Sequence, residues 1–217
     1  VVELVEGSAQ PPEVWQACFR QVLVPSFPAG ELVEEEDFLS ARDRDSSWVL
    51  MALDGGRPVG VSMVDAPGPG DRLGLLSYLA AHPTGRARGI GSRLMEQVRR
   101  RRSMLLVEIE DPRQHADTGF GQPWRRVEFY RRHGVRALQV PFFQPPVAPG
   151  VPRVEGMLLG VVMPGPVPDH LASAPIRTYL TAYLRSSGED VGVPPASTLL
   201  GSLDGDQVAV VDLPRAR

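Results

Sequence analysis

The sequence predicts an α/β chain of the α+β type: a twisted, mixed but mostly antiparallel sheet flanked by helices, with a helical C-terminal extension. Three observations predict it. Strand-like runs at Trp48–Leu53, Pro58–Val64 and Leu73–Ala81 follow one another through connections too short for helical crossovers, so they form an antiparallel meander. One strand–loop–helix–strand unit, Leu73–Glu110, is long enough for a right-handed crossover between parallel strands. A late apolar stripe at Ile176, Tyr179, Leu180, Tyr183 and Leu184 has helical spacing.

Composition bounds the reading. The chain has 217 residues, which fits one large domain or one domain with an appendage. Cys18 is the single cysteine, which excludes a disulfide framework and a cysteine-cluster zinc site. No run of about 18 apolar residues is present, so no membrane-spanning helix is expected. The opening VVELVEGSAQPPE has neither a basic nor an apolar signal region, and a cytoplasmic location is the default expectation. A formal charge of -3 argues against a nucleic-acid partner. All 23 basic residues are arginine, which excludes Schiff-base chemistry and a P-loop lysine.

The elements follow in order. Residues 1–7 read as an edge strand, and the pattern from Val14 to Val22 reads as a helix ended by Pro25 and Pro28. A second helix is expected over Glu31–Arg42. Its run Glu34-Glu35-Glu36-Asp37 is either a solvated face or a rim that attracts a cationic amine. Asp54-Gly55-Gly56 is a hairpin turn. A Gly-rich loop covers 82–91, a helix runs from about Gly89 to Arg101, and Ser103–Glu110 is a strand. Trp124, Val127, Tyr130 and Arg131 mark a helix stopped at Gly134. Strands are expected at Ala137–Phe143, Met157–Met163 and Gln207–Leu213, with the tail helix over about 173–187 and Ser173 as its cap.

The chemistry-bearing segment is Arg86-Ala87-Arg88-Gly89-Ile90-Gly91, between a strand and a helix. Unpaired N–H groups at a helix N-terminus suit a pyrophosphate, and glycines let it approach the backbone. Arg86 and Arg88 can add charge-assisted contacts. A Rossmann fingerprint fails, because Leu94 occupies its third glycine position. An ordinary strand–helix turn is the competing reading. The full match is to Arg/Gln-x-x-Gly-x-Gly/Ala.

On that motif the sequence resembles the GNAT acetyltransferases. The string LAAHPTGRARGIGSRLMEQV is similar to their signature, and RRVEFYRRHGV (125–135) resembles their FYxxxGF segment, with Val135 in place of the final Phe. The resemblance covers roughly residues 1–164, which gives a GNAT domain over 1–164 and an extension over 165–217.

The resemblance implies an acyl-CoA N-acyltransferase using acetyl-CoA or another acyl-CoA as cosubstrate. The pantetheine arm would pair near Leu79 and Ala81, and the pyrophosphate would sit on the loop from Arg86 through Ala87, Arg88, Gly89, Ile90 and Gly91 to Ser92. Tyr130 matches the position that stabilises or protonates the leaving thiolate. Glu108 and Glu110 share one face of an otherwise apolar strand and are the base candidates. Asp65 and His82 are weaker ones, and His115 and Asp117 lie in a long connection that could cover the acceptor. No residue group has metal spacing, so metal-free chemistry is expected. The expected acceptor is a small-molecule amine, with Phe142 and Phe143 in an acceptor wall or an oligomer contact, a homodimer being one option. A catalytically silent acyl-CoA module and an acyl-carrier-protein donor are the alternatives.

Overall fold

The computed structural model describes residues 1–66, 73–82, 88–117 and 119–216. The chain divides into two compact units, Val1–Arg102 and Ser103–Arg217.

The first unit is an antiparallel meander of β1 (Val2–Glu6), β2 (Ser47–Asp54), β3 (Arg57–Asp65) and β4 (Leu73–Ala81). Gly55 and Gly56 both have positive φ, 57° and 80°, as the two-residue turn of a tight hairpin requires. Alternation sorts the side chains onto two faces. Val49, Met51, Leu53, Val61 and Met63 bury against α1 (Pro12–Cys18), the π-helical turn after it, and α2 (Glu35–Ser40). Leu50, Ala52 and Val2 turn the other way, to Ile90 and Leu94 of α3 (Ile90–Arg101).

The second helix is shorter than the sequence pattern predicts. Residues 29–31 form one 3-10 turn, and the helix begins only at Glu35. Tyr78 holds the intervening chain: its hydroxyl accepts from the Val33 N–H at 3.0 Å and donates to the Glu31 carbonyl at 3.1 Å. The acidic run therefore supplies the first turn with Glu35, Glu36 and Asp37, where the helix dipole favours negative charge.

In the second unit β5 (Met104–Glu110) pairs antiparallel with β7 (Met157–Val162), and β7 with β6 (Arg136–Leu138). The tail then extends the sheet. β9 (Gln207–Val211) pairs with β6, and β8 (His170–Ala172) with β9. Between them lie α5 (Ser173–Ser186) and α6 (Ala196–Gly201). Strand β8 and helix α6 have no counterpart in the sequence reading. The strand expected over Ala137–Phe143 stops at Leu138, because Pro141 follows and the chain turns away. Ser173 is the first helical residue, and Ala172 occupies the cap position.

Helix α4 (Pro123–Arg132) ends at Gly134, whose φ is +79°. The Val135 N–H donates to the Tyr130 carbonyl and the Gly134 N–H to that of Arg131, the paired bonds of a Schellman motif. The turn fixes the last turn of the helix, on which Tyr130 lies.

Gly60 lets α3 close onto the meander: a Cβ there would sit 2.6 Å from Ile90 Cγ2 and 3.2 Å from the Ala80 carbonyl oxygen. Gly60→Ala is expected to destabilise the chain by ~1–3 kcal/mol through overpacking, read as a lowered urea midpoint at unchanged slope.

Candidate active site

The candidate donor-loop residues and the candidate acid–base residues lie in different units. In the first unit Leu79 and Ala81 sit on β4, in register with Ser62 and Gly60 of β3. Arg86 and Ala87 lie outside the described residues. Gly89 occupies the N-cap of α3 at φ +68° and ψ 18°. Nothing lies within 4 Å of a Cβ built there, so backbone conformation rather than space demands glycine. Its carbonyl accepts the Arg93 N–H at 3.0 Å. The N–H groups of Ile90, Gly91 and Ser92 therefore precede the first intrahelical bond, where an anion is favoured. The Ile90 side chain is fully buried, so Ile90 can serve an anion only through its backbone.

Arg88 has a partner that sequence reading does not reveal. Its guanidinium donates to the Asp54 carboxylate. Arg88 holds Asp54 below the ordinary carboxylate range. A phosphate ligand would have to draw Arg88 from that exposed pair, a small cost. Asp65 is similarly occupied: Ser47 and Ser77 both donate to it. His82 donates its backbone N–H to Val59.

In the second unit Glu108 and Glu110 share one face of β5, and Ile109 is fully buried on the other. The two carboxylates have different partners. Glu110 is buried, accepts from Arg126 Nη1 and lies 3.9 Å from His115 Nδ1. Glu108 is half-buried and accepts from the Tyr183 hydroxyl at 2.8 Å. Tyr183 belongs to α5, so the C-terminal extension reaches the strand that carries the candidate base. In sequence Tyr183 reads as one of a core stripe. The available signal was chemical: a tyrosine on a buried face needs a partner for its hydroxyl. Arg126 is equally illegible in sequence, because its partner Glu110 is 16 residues away.

Tyr130 is buried, and burial pushes its phenol up to about 12, with Arg126 pulling the other way. Among the described residues its hydroxyl has no hydrogen-bond partner. His115 Nε2 lies 2.8 Å from the Glu155 carbonyl, and Asp117 accepts the Gly119 N–H at 2.9 Å. Both residues thus brace the connection after β5. Among the described residues no group of three or more His, Cys, Asp or Glu side chains could hold a metal ion. No described helix is long and apolar enough to cross a membrane.

Residues 45–136 match the family model of the acetyltransferase (GNAT) domain. The matched segment contains both sequence motifs, the Arg86-x-x-Gly89-x-Gly91 loop and the 125–135 segment. A Bacteroides thetaiotaomicron protein assigned to the GNAT family shares 24% identity, with 75% of this chain and 86% of that one covered at a TM-score of 0.59. The aminoglycoside 6'-N-acetyltransferase of Enterococcus faecium shares 16%, covering 77% and 99% at 0.53. A ribosomal-protein alanine N-acetyltransferase of Escherichia coli shares 11%, covering 79% and 99% at 0.52. These likenesses establish the fold. No curated protein matches the chain.

Two outcomes follow from the charge pairs. Arg126→Leu strands a buried carboxylate, so it should cost about 2 kcal/mol in urea unfolding, with much of the loss recovered by adding Glu110→Gln. Asp111 is held below its ordinary value chiefly by hydrogen bonds from Arg113. Its folded value is depressed, so its contribution to stability is full above about pH 4 and fades as pH falls through the folded value. Asp111→Asn should flatten acid unfolding in that window alone.

Proposed function

We propose that this protein transfers an acetyl or other short acyl group from acyl-CoA to the primary amine of a small molecule, by direct attack in a ternary complex. The domain proposed to do so spans 1–164, and 165–217 is an extension of it. The observation that carries the reading is the Arg86-x-x-Gly89-x-Gly91 loop opening α3, with Gly89 in the left-handed conformation at the helix cap. The family match over 45–136 supports it.

The donor's diphosphate takes the N–H groups of Gly89, Ile90, Gly91 and Ser92 and the charges of Arg86 and Arg88. Leu79 and Ala81 supply strand backbone to the pantetheine arm. The amine lone pair attacks the thioester carbonyl carbon; a C–N bond forms and the C–S bond breaks. The amine must first be neutral, and its proton passes to a carboxylate, directly or through water. Glu108 suits this role better than Glu110. Glu108 accepts a hydrogen bond from the Tyr183 phenol, whereas Glu110 accepts from the Arg126 guanidinium and lies deeper in the core.

Tyr130 serves the departing sulfur. With its phenol near 12 it is protonated at neutral pH. A thiol titrates near ~8.5, so full transfer from that phenol is uphill. Tyr130 therefore acts as a hydrogen-bond donor to the thiolate, and solvent supplies the final proton. The reading requires no metal.

Isothermal titration with acetyl-CoA is the first test, with micromolar binding expected; silence at ~1 mM would refute the reading. Glu108→Gln should lower kcat/KM by about 10²-fold, and Glu110→Gln far less. Tyr130→Phe should lower kcat while leaving the KM for acetyl-CoA unchanged. The wild-type rate should show no loss from tyrosine ionisation below about pH 11.

A further inference from the structure

A cavity of about 440 Å³ opens in the second unit beside the end of β5. Phe142 and Phe143 line it from the proline-rich connection between β6 and β7, Met157 from the first position of β7, and Pro194, Pro195 and Thr198 from the tail. Met157 lies opposite Glu110 in register, so the two side chains share a face of the sheet. Asp111, the next residue along, also lines the cavity and donates its N–H to the Gly156 carbonyl at 3.0 Å.

The lining has a definite chemistry. Its acidic residues are Asp111 and Glu155, and no basic residue lines it. Arg113 grips Asp111 at 2.7 Å and so neutralises much of its charge. Glu155 is exposed and has no ion pair among the described residues. Arg153, close by in sequence, is committed elsewhere: it pairs with Glu189 at 2.9 Å and stacks over Phe143. Most other lining groups are apolar rings and aliphatic chains. A polyhydroxylated body would find few partners for its hydroxyls there, and its desolvation would go unrepaid. The volume falls at the lower end of the range for small-molecule pockets.

From these features we infer that the cavity binds a primary amine carried on an apolar, ring-sized body, and that the C-terminal extension supplies part of its wall. The ammonium meets Glu155 and the ring meets the phenylalanines and prolines. The inference rests on the acyl-transfer reading for the amine's role as acceptor, but not for its binding. Selectivity for the amine then resides partly in residues 194–198, outside the segment matched by the family model.

The test uses 2-phenylethylamine as probe and the full chain, by calorimetry with and without saturating acetyl-CoA. Thr198 is exposed on α6, so Thr198→Trp fills the cavity without disturbing a core position. This variant should weaken probe binding by at least about tenfold, and Glu155→Gln by about threefold to tenfold. Both should keep the wild-type melting temperature and acetyl-CoA affinity. Equal probe affinity in wild type and Thr198→Trp would overturn the inference. So would acylation of spermine or an aminoglycoside in preference to the probe, unaffected by Thr198→Trp. If the probe binds and Thr198→Trp abolishes binding while acetyl-CoA does not bind, the cavity stands and the acyl-transfer reading falls. If acetyl-CoA binds and other amines are acylated but the probe is ignored, the cavity assignment falls and the acyl-transfer reading stands.

Discussion

A carboxylate on a buried strand must be given a partner, and this constraint organises the second unit. Leu105, Leu106, Val107 and Ile109 make β5 a core strand, yet Glu108 and Glu110 lie on it. An uncompensated charge there would be costly. Helix α4 answers with Arg126 for Glu110, and helix α5 answers with Tyr183 for Glu108. Each partner in turn fixes the rotation of its helix over the sheet. The Schellman turn at Gly134 then sets the end of α4, and with it Tyr130, four residues beyond Arg126. Two acidic residues thus position the helices that hold the other chemical groups.

The different partners give the carboxylates different chemistry. A guanidinium neutralises charge; a phenol hydroxyl orients a carboxylate and leaves its charge intact. Tyr130 is buried as well, and its raised phenol is protonated at neutral pH.

Local patterns were legible in the sequence wherever local physics decides. Gly55-Gly56, Gly89 and Gly134 all adopt positive φ where turn or cap chemistry calls for glycine. Features that depend on distant partners were not legible. Tyr78 shortens α2 from across the fold, and Pro141 cuts β6 short once the chain turns toward the cavity. Strand β8 has three residues and exists because β9 offers it an edge. Among the candidate site residues, the motifs point to the loop and Tyr130. They do not reveal that Arg88 rests on Asp54 or that Tyr183 reaches Glu108, because each contact joins residues far apart in sequence.

Arg136 joins β6 to the tail through one planar group. Its guanidinium donates to the carbonyls of Val167 and Val210, at 3.0 and 3.1 Å, and to the carboxylates of Asp169 and Asp212, at 2.8 and 3.2 Å. Both aspartates are largely exposed, so dissolved ions screen their ion pairs; the carbonyl acceptors are neutral, and those charge–dipole bonds are screened far less. The latch therefore has a brine-sensitive half and an indifferent half, and concentrated electrolyte loosens the tail's fastening without undoing it.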